Sequence, residues 1–95
     1  MSKAKWTESS GNVFDDLGFD SAEAAVLKLR AELMNGLRLQ IKRRRWTQAK
    51  AAEVLGVSQP RVSDLIAGHW KKFSVDMLLT LAGRAGLRPR LKLAA

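Results

Sequence analysis

Ninety-five residues, 46% of them apolar and 27% charged, are enough for one domain with a single modest core. The absence of cysteine excludes disulfide staples, thiolate catalysis and cysteine-based metal sites, and one histidine, His69, cannot build a histidine cluster for a metal. A net charge of +8 suits a polyanionic partner, and no apolar run has the length of a membrane span or a signal-peptide core, so the expected setting is cytoplasmic.

Residues 1–12 are polar, contain Ser9, Ser10 and Gly11, and are expected to form a flexible N-terminal arm. Trp6 within it has two readings, a contact with a partner or plain exposure. Val13-Phe14-Asp15-Asp16-Leu17-Gly18-Phe19 has neither a helical nor a strand period. It reads as a structured loop whose Phe14, Leu17 and Phe19 pin onto the domain, with a short linear motif for a partner protein as the alternative.

Asp20 or Ser21 can cap the helix that follows, and Glu23 in its first turn suits the positive end of the helix dipole. Val26, Leu29, Leu33, Leu37 and Ile41 then step by three or four residues and form one stripe. The spacing predicts one long helix from about 21 to 45, with a kink at Gly36 left open because glycine costs about 1 kcal/mol against alanine there. Leu27, Met34 and Leu39 fall off the stripe. Arg43, Arg44 and Arg45 end the helix, where cations are favourable on dipole grounds alone and where they can also reach backbone phosphates.

Residues 47–68 hold two short helical patterns around one glycine. Thr47 and Ser58 are placed to cap them. Ala51, Ala52 and Leu55 share one face of the first, and Val62, Leu65 and Ile66 one face of the second. Gly56 sits where the backbone must turn through a left-handed conformation. Together they predict a helix-turn-helix with a recognition helix at about 58–67. An αα-corner without a ligand uses the same apolar and glycine positions. The outward face favours DNA: Ser58, Gln59, Arg61 and Ser63 carry hydroxyl, amide and guanidinium groups that match base edges in a major groove. Of these, Arg61 is expected to read one base, so that Arg61→Ala relaxes preference at one position.

The charge is placed to match. The first twenty residues sum to −2, whereas Arg38, Lys42, Arg43, Arg44 and Arg45 bring +5 just before the motif. Arg84, Arg88, Arg90 and Lys92 bring +4 after it. Lys71 and Lys72, in the loop after Gly68, sit where a loop following a recognition helix faces the DNA backbone. Trp70 and Phe73 are expected to close the core, because duplex DNA offers no free base faces, and His69 is a loop residue rather than a catalytic base. Ser74 caps a last helix whose buried face is Leu78, Leu81, Ala82 and Ala85, ended by Gly86. Leu87-Arg88-Pro89-Arg90-Leu91-Lys92-Leu93 then alternates apolar and basic residues, the period of a strand with one face buried. With no partner strand in the chain, it is expected to pair with a twofold mate through Leu87, Leu91 and Leu93. A frayed tail is the other reading.

Gln48, Ala51-Ala52, Leu55-Gly56-Val57-Ser58-Gln59, Val62-Ser63 and Gly68 resemble the XRE family, the repressors of the lambda and Cro type. Asn12 to Phe19 with Glu23-Ala24 further resemble small antitoxins of the HigA type. The resemblance implies an all-α, lambda repressor-like helix-turn-helix domain of four helices at 13–86, with the short C-terminal strand at 87–95 pairing across a homodimer. It implies a sequence-specific repressor that binds double-stranded DNA at inverted repeats. Gln48 matches the family glutamine that bonds a phosphate, and Gln59 the position that contacts bases. Pro60 departs from the pattern, removing a hydrogen-bonding side chain that other members often carry. Antitoxins of this type also bind a RelE-like ribonuclease toxin; the alternative within the family is a stand-alone XRE-type regulator without a toxin. Lys50, with Gln48, Arg43 to Arg45, Lys71 and Lys72, completes the expected phosphate contacts. No nucleophile or acid–base motif marks an enzyme, no cofactor or metal is implied, and a protein-interaction module using the helix pair alone is the competing class.

Overall fold

The structure is a computed structural model, and it describes residues 20–93. The expected arm at 1–12, Trp6, and the pinning loop with Phe14, Leu17 and Phe19 lie outside the described residues.

Among the described residues four α-helices follow one another: α1 (Ser21–Arg43), α2 (Gln48–Leu55), α3 (Gln59–Ala67) and α4 (Val75–Arg84), with a 3₁₀ turn (Trp70–Lys72) between α3 and α4. Each begins at a side chain able to accept from a free first-turn N–H. Asp20 and Glu23 form a reciprocal capping box on α1, and Ser74 accepts from Met77 N–H at 3.1 Å on α4. The helix α1 runs unbroken through Gly36 and stops at Arg43, two residues short of expectation. Its end is fixed by Arg45, a non-glycine residue at φ 57°, which turns the chain so that Trp46 N–H bonds Ile41 C=O at 3.1 Å.

The buried face of α1 differs from the expected stripe. Leu33, Leu37 and Ile41 are buried as expected, but so are Leu27 and Met34, while Val26 is 45% exposed. The cause is that α1 meets different neighbours along its length: α4 above all, and also α3 and the 3₁₀ turn. One core joins Leu33, Met34, Leu37 and Ile41 to Leu55, Val62, Leu65, Phe73, Leu78 and Leu81.

Gln40 is the buried polar residue among those described. Its Nε2 donates to Ala85 C=O at 2.9 Å and ties α1 to the end of α4. Gln40→Ala removes this bond and leaves a buried carbonyl without its donor, so a loss of about 1–3 kcal/mol is expected in urea unfolding.

Among the described residues no strand forms. Residues 87–93, expected as a strand, carry no regular structure, because strand hydrogen bonds need a partner that one chain does not supply. Leu87, expected at a dimer face, instead packs against the core, and its N–H bonds Ala82 C=O at 2.9 Å. Leu91 and Leu93 remain exposed, at 70% and 88%.

Candidate nucleic-acid interface

The α2–α3 pair is built by local rules that the chain satisfies in turn. Thr47 Oγ1 accepts from Lys50 N–H at 3.0 Å and starts α2. Gly56, at φ 71°, ends it in the left-handed region, and Val57 N–H returns to Ala52 C=O at 3.0 Å. Ser58 Oγ then accepts from Arg61 N–H at 3.3 Å to start α3, with Pro60 in the first turn, where its missing N–H leaves no broken bond. A long-range contact closes the turn: Arg84, from α4, donates through Nη1 to Leu55 C=O at 2.9 Å. A Cβ on Gly56 would lie 3.1 Å from that same Nη1, so a side chain there would displace the guanidinium by a few tenths of an ångström in addition to straining the left-handed backbone.

Ser58, Gln59 and Ser63 are exposed. Ser58, although it accepts from Arg61 N–H, keeps its own hydroxyl proton to donate. Gln59 presents a free amide at the first position of α3. Gln48, Lys50, Arg43, Arg44, Arg45, Lys71 and Lys72 are also exposed. Lys50 lies 3.7 Å from Glu53 on the same helix, a solvated pair that contributes little to stability. Arg44 lies over the Trp46 ring at 5.9 Å, and Lys71 over the Trp70 ring at 5.5 Å.

Arg61 is placed differently from the other base-reading candidates. Its Nη1 donates to Lys72 C=O at 3.2 Å, its Nη2 lies 3.6 Å from Met77 Sδ, and its guanidinium sits 5.1 Å over the Phe73 ring. The side chain therefore joins α3 to the 3₁₀ turn and α4. A second link acts beside it. Asp64 Oδ1 lies 3.0 Å from His69 Nδ1, and Lys72 Nζ lies 3.4 Å from Asp64 Oδ2. Gly68, at φ 81°, lets His69 N–H reach back to Asp64 C=O at 3.0 Å and sets this loop. Asp64, half-buried, thus forms one polar cluster with the exposed Lys72 and His69 at the end of α3. Sequence reading missed the pairing, since Asp64 and Lys72 are eight residues apart and joined only by the turn.

The hydrogen bond to His69 holds the Asp64 carboxyl below the ordinary aspartate range; partial burial opposes this, and Lys72 adds to it. A depressed folded-state value means that the stabilisation is present above the unfolded value and is lost as pH falls through the folded one. The Asp64 carboxyl is therefore expected to titrate below a free aspartate in carbon-detected NMR. With His69→Ala and Lys72→Ala together, its midpoint should move up toward the ordinary range.

A family model described as a helix-turn-helix domain matches residues 13–93. No curated protein matches the chain.

Proposed function

Because this chain belongs to the helix-turn-helix domain family, we propose that it is a sequence-specific DNA-binding repressor that acts as a homodimer on an inverted repeat. The observation that carries the reading is the start of α3, where Ser58, Gln59 and Ser63 are exposed, in a chain that also exposes Arg43 to Arg45, Lys50, Lys71 and Lys72. Gln59 offers a two-pronged amide suited to adenine, and the two serines offer hydroxyls to either partner of a base pair. Gln48, Lys50, Arg43 to Arg45, Lys71 and Lys72 hold phosphates and set register without reading sequence. Arg61 reads a base only by giving up Lys72, Met77 and Phe73, so we assign it to bracing α3 against the turn that carries Lys71 and Lys72.

A dimer would set two recognition helices about 34 Å apart, one turn of B-DNA. Exposed Leu79, Leu91 and Leu93, on α4 and the tail, support a surface covered by a second copy. Truncation after Leu87 keeps the packed leucine and removes Leu91 and Leu93; it is expected to halve the molar mass in solution.

The resemblance of residues 12–24 to HigA-type antitoxins extends the reading to a RelE-like toxin as a second partner. Catalysis and cofactors have no part in it. The test is selection of bound duplexes from a random library at about 150 mM salt, which suppresses backbone-only binding. An inverted repeat with half-sites about one turn apart is expected. Binding that falls with salt and selects no sequence would leave an interaction module in its place.

A further inference from the structure

His69, the one histidine of the chain, is held on both sides by backbone bonds. Its N–H donates to Asp64 C=O at 3.0 Å, and its C=O accepts from Lys72 N–H at 3.0 Å. The side chain is 55% exposed, and its Nδ1 lies 3.0 Å from Asp64 Oδ1. That bond keeps the Asp64 carboxyl below the ordinary aspartate range, so it is ionised wherever a histidine gains its charge, between about pH 5 and 8. A carboxylate can only accept, so Nδ1 carries the proton and Nε2 is the nitrogen left to titrate. A neutral ring presents a lone pair at Nε2, which a phosphate oxygen, itself an acceptor, cannot bond. A protonated ring presents a donor and a positive charge at the same atom.

We propose that His69 is a proton-dependent phosphate contact: its imidazolium, oriented by Asp64, donates through Nε2 to the DNA backbone, so that binding takes up a proton. Resting on the DNA-binding role proposed above, this adds a residue to the loop that carries Lys71 and Lys72. The charges around the ring set the balance. Lys72 Nζ lies 3.4 Å from the same Asp64 carboxylate, and Lys71 stands beside it on the 3₁₀ turn. Arg61 Nη1 donates to Lys72 C=O at 3.2 Å. From α1, Arg38 Nη1 would lie 3.8 Å from a Cβ on the adjacent Gly68. These cations oppose a further charge on the ring, and Asp64 answers them. A phosphate brings a second anion, which favours the charged ring. Because DNA strengthens the ring's hold on its proton, the contribution is full on the acid side and is lost as pH rises. Asp64 is a positioning residue in this scheme, acting only through the ring.

The test is binding of the full-length chain to a mixed-sequence duplex at about 50 mM salt, where backbone contacts dominate, followed from about pH 6 to about pH 8. Wild-type affinity should fall about tenfold over that range, the equivalent of about one unit of pKa change on binding. His69→Gln keeps an amide that can still meet Asp64 and removes the titration. Its affinity should be flat with pH and match the wild type at the alkaline end. Asp64→Asn should move the fall to lower pH, and an unmoved profile would remove Asp64 from the scheme. A wild-type affinity independent of pH, a fall that persists in His69→Gln, or a loss in that variant equal at every pH would overturn the proposal. A second measure needs no variant: the Nε2 chemical shift of the wild-type ring, titrated with and without duplex. Its midpoint should rise on binding, and an unmoved midpoint would also overturn the contact. Failure to bind any duplex at this salt would instead remove the DNA-binding role itself, and this contact with it.

Discussion

Phe73→Ala is expected to be among the most damaging single substitutions in this chain, with a loss of about 3–5 kcal/mol in urea unfolding. The ring is 2% exposed and belongs to the one core that joins all four helices. It also forms the face over which the Arg61 guanidinium sits, so its removal loosens α3 at the same time. A domain of this size has about 5–15 kcal/mol of stability, and a loss on this scale removes a large part of it. Phe73→Leu keeps much of the volume and should retain most of the stability while losing the cation–π contact. A change below about 1 kcal/mol for the alanine variant would mean that the core closes without this ring.

The second large effect is a contrast between neighbours on one helix. Gln59→Ala is expected to reduce affinity for the selected duplex by about 1–3 kcal/mol and to relax preference at one position, as loss of a bidentate base contact does. Arg61→Ala should behave otherwise. It removes the bond to Lys72 C=O and the packing on Phe73, so folding stability should fall and affinity should drop for all duplexes alike. Lys71→Ala should also weaken every sequence, but leave folding intact and flatten the salt dependence by about one unit of slope. Duplex binding at several salt concentrations, read beside urea unfolding of each variant, separates the three. If Arg61→Ala leaves stability unchanged and alters preference at one base pair, the bracing role is wrong and the arginine reads DNA.

What was legible in the sequence was what local rules decide. Thr47, Ser58 and Ser74 cap helices because a hydroxyl two or three residues before a free N–H can hardly do otherwise, and Gly56 turns left-handed because few other residues can. Phe73 was expected in the core because duplex DNA gives it nothing to stack on, and it is there. Where structure and expectation part, the causes are long-range. Val26 fits the helical stripe, yet the stripe says nothing about which neighbour lies beside each turn, and Leu27 and Met34 took the buried positions. Arg61 has the spacing of a groove residue, but its partners Lys72 and Met77 are eleven and sixteen residues away. The alternation in residues 87–93 is a strand pattern without a second strand in the chain. The Arg84 bond to Leu55 crosses twenty-nine residues and leaves no local mark at either end.

Arg45 carries a consequence for how such a chain changes over evolutionary time. A residue with a side chain held at φ 57° gives up about 1–2 kcal/mol that glycine or asparagine would largely retain. Substitution toward either is thus an open route to a more heat-resistant variant, and it would remove an exposed cation from the corner between α1 and α2. Stability and surface charge compete for this one position. Lineages under selection for thermal tolerance and lineages under selection for tight polyanion binding should therefore diverge at residue 45 before they diverge in the core.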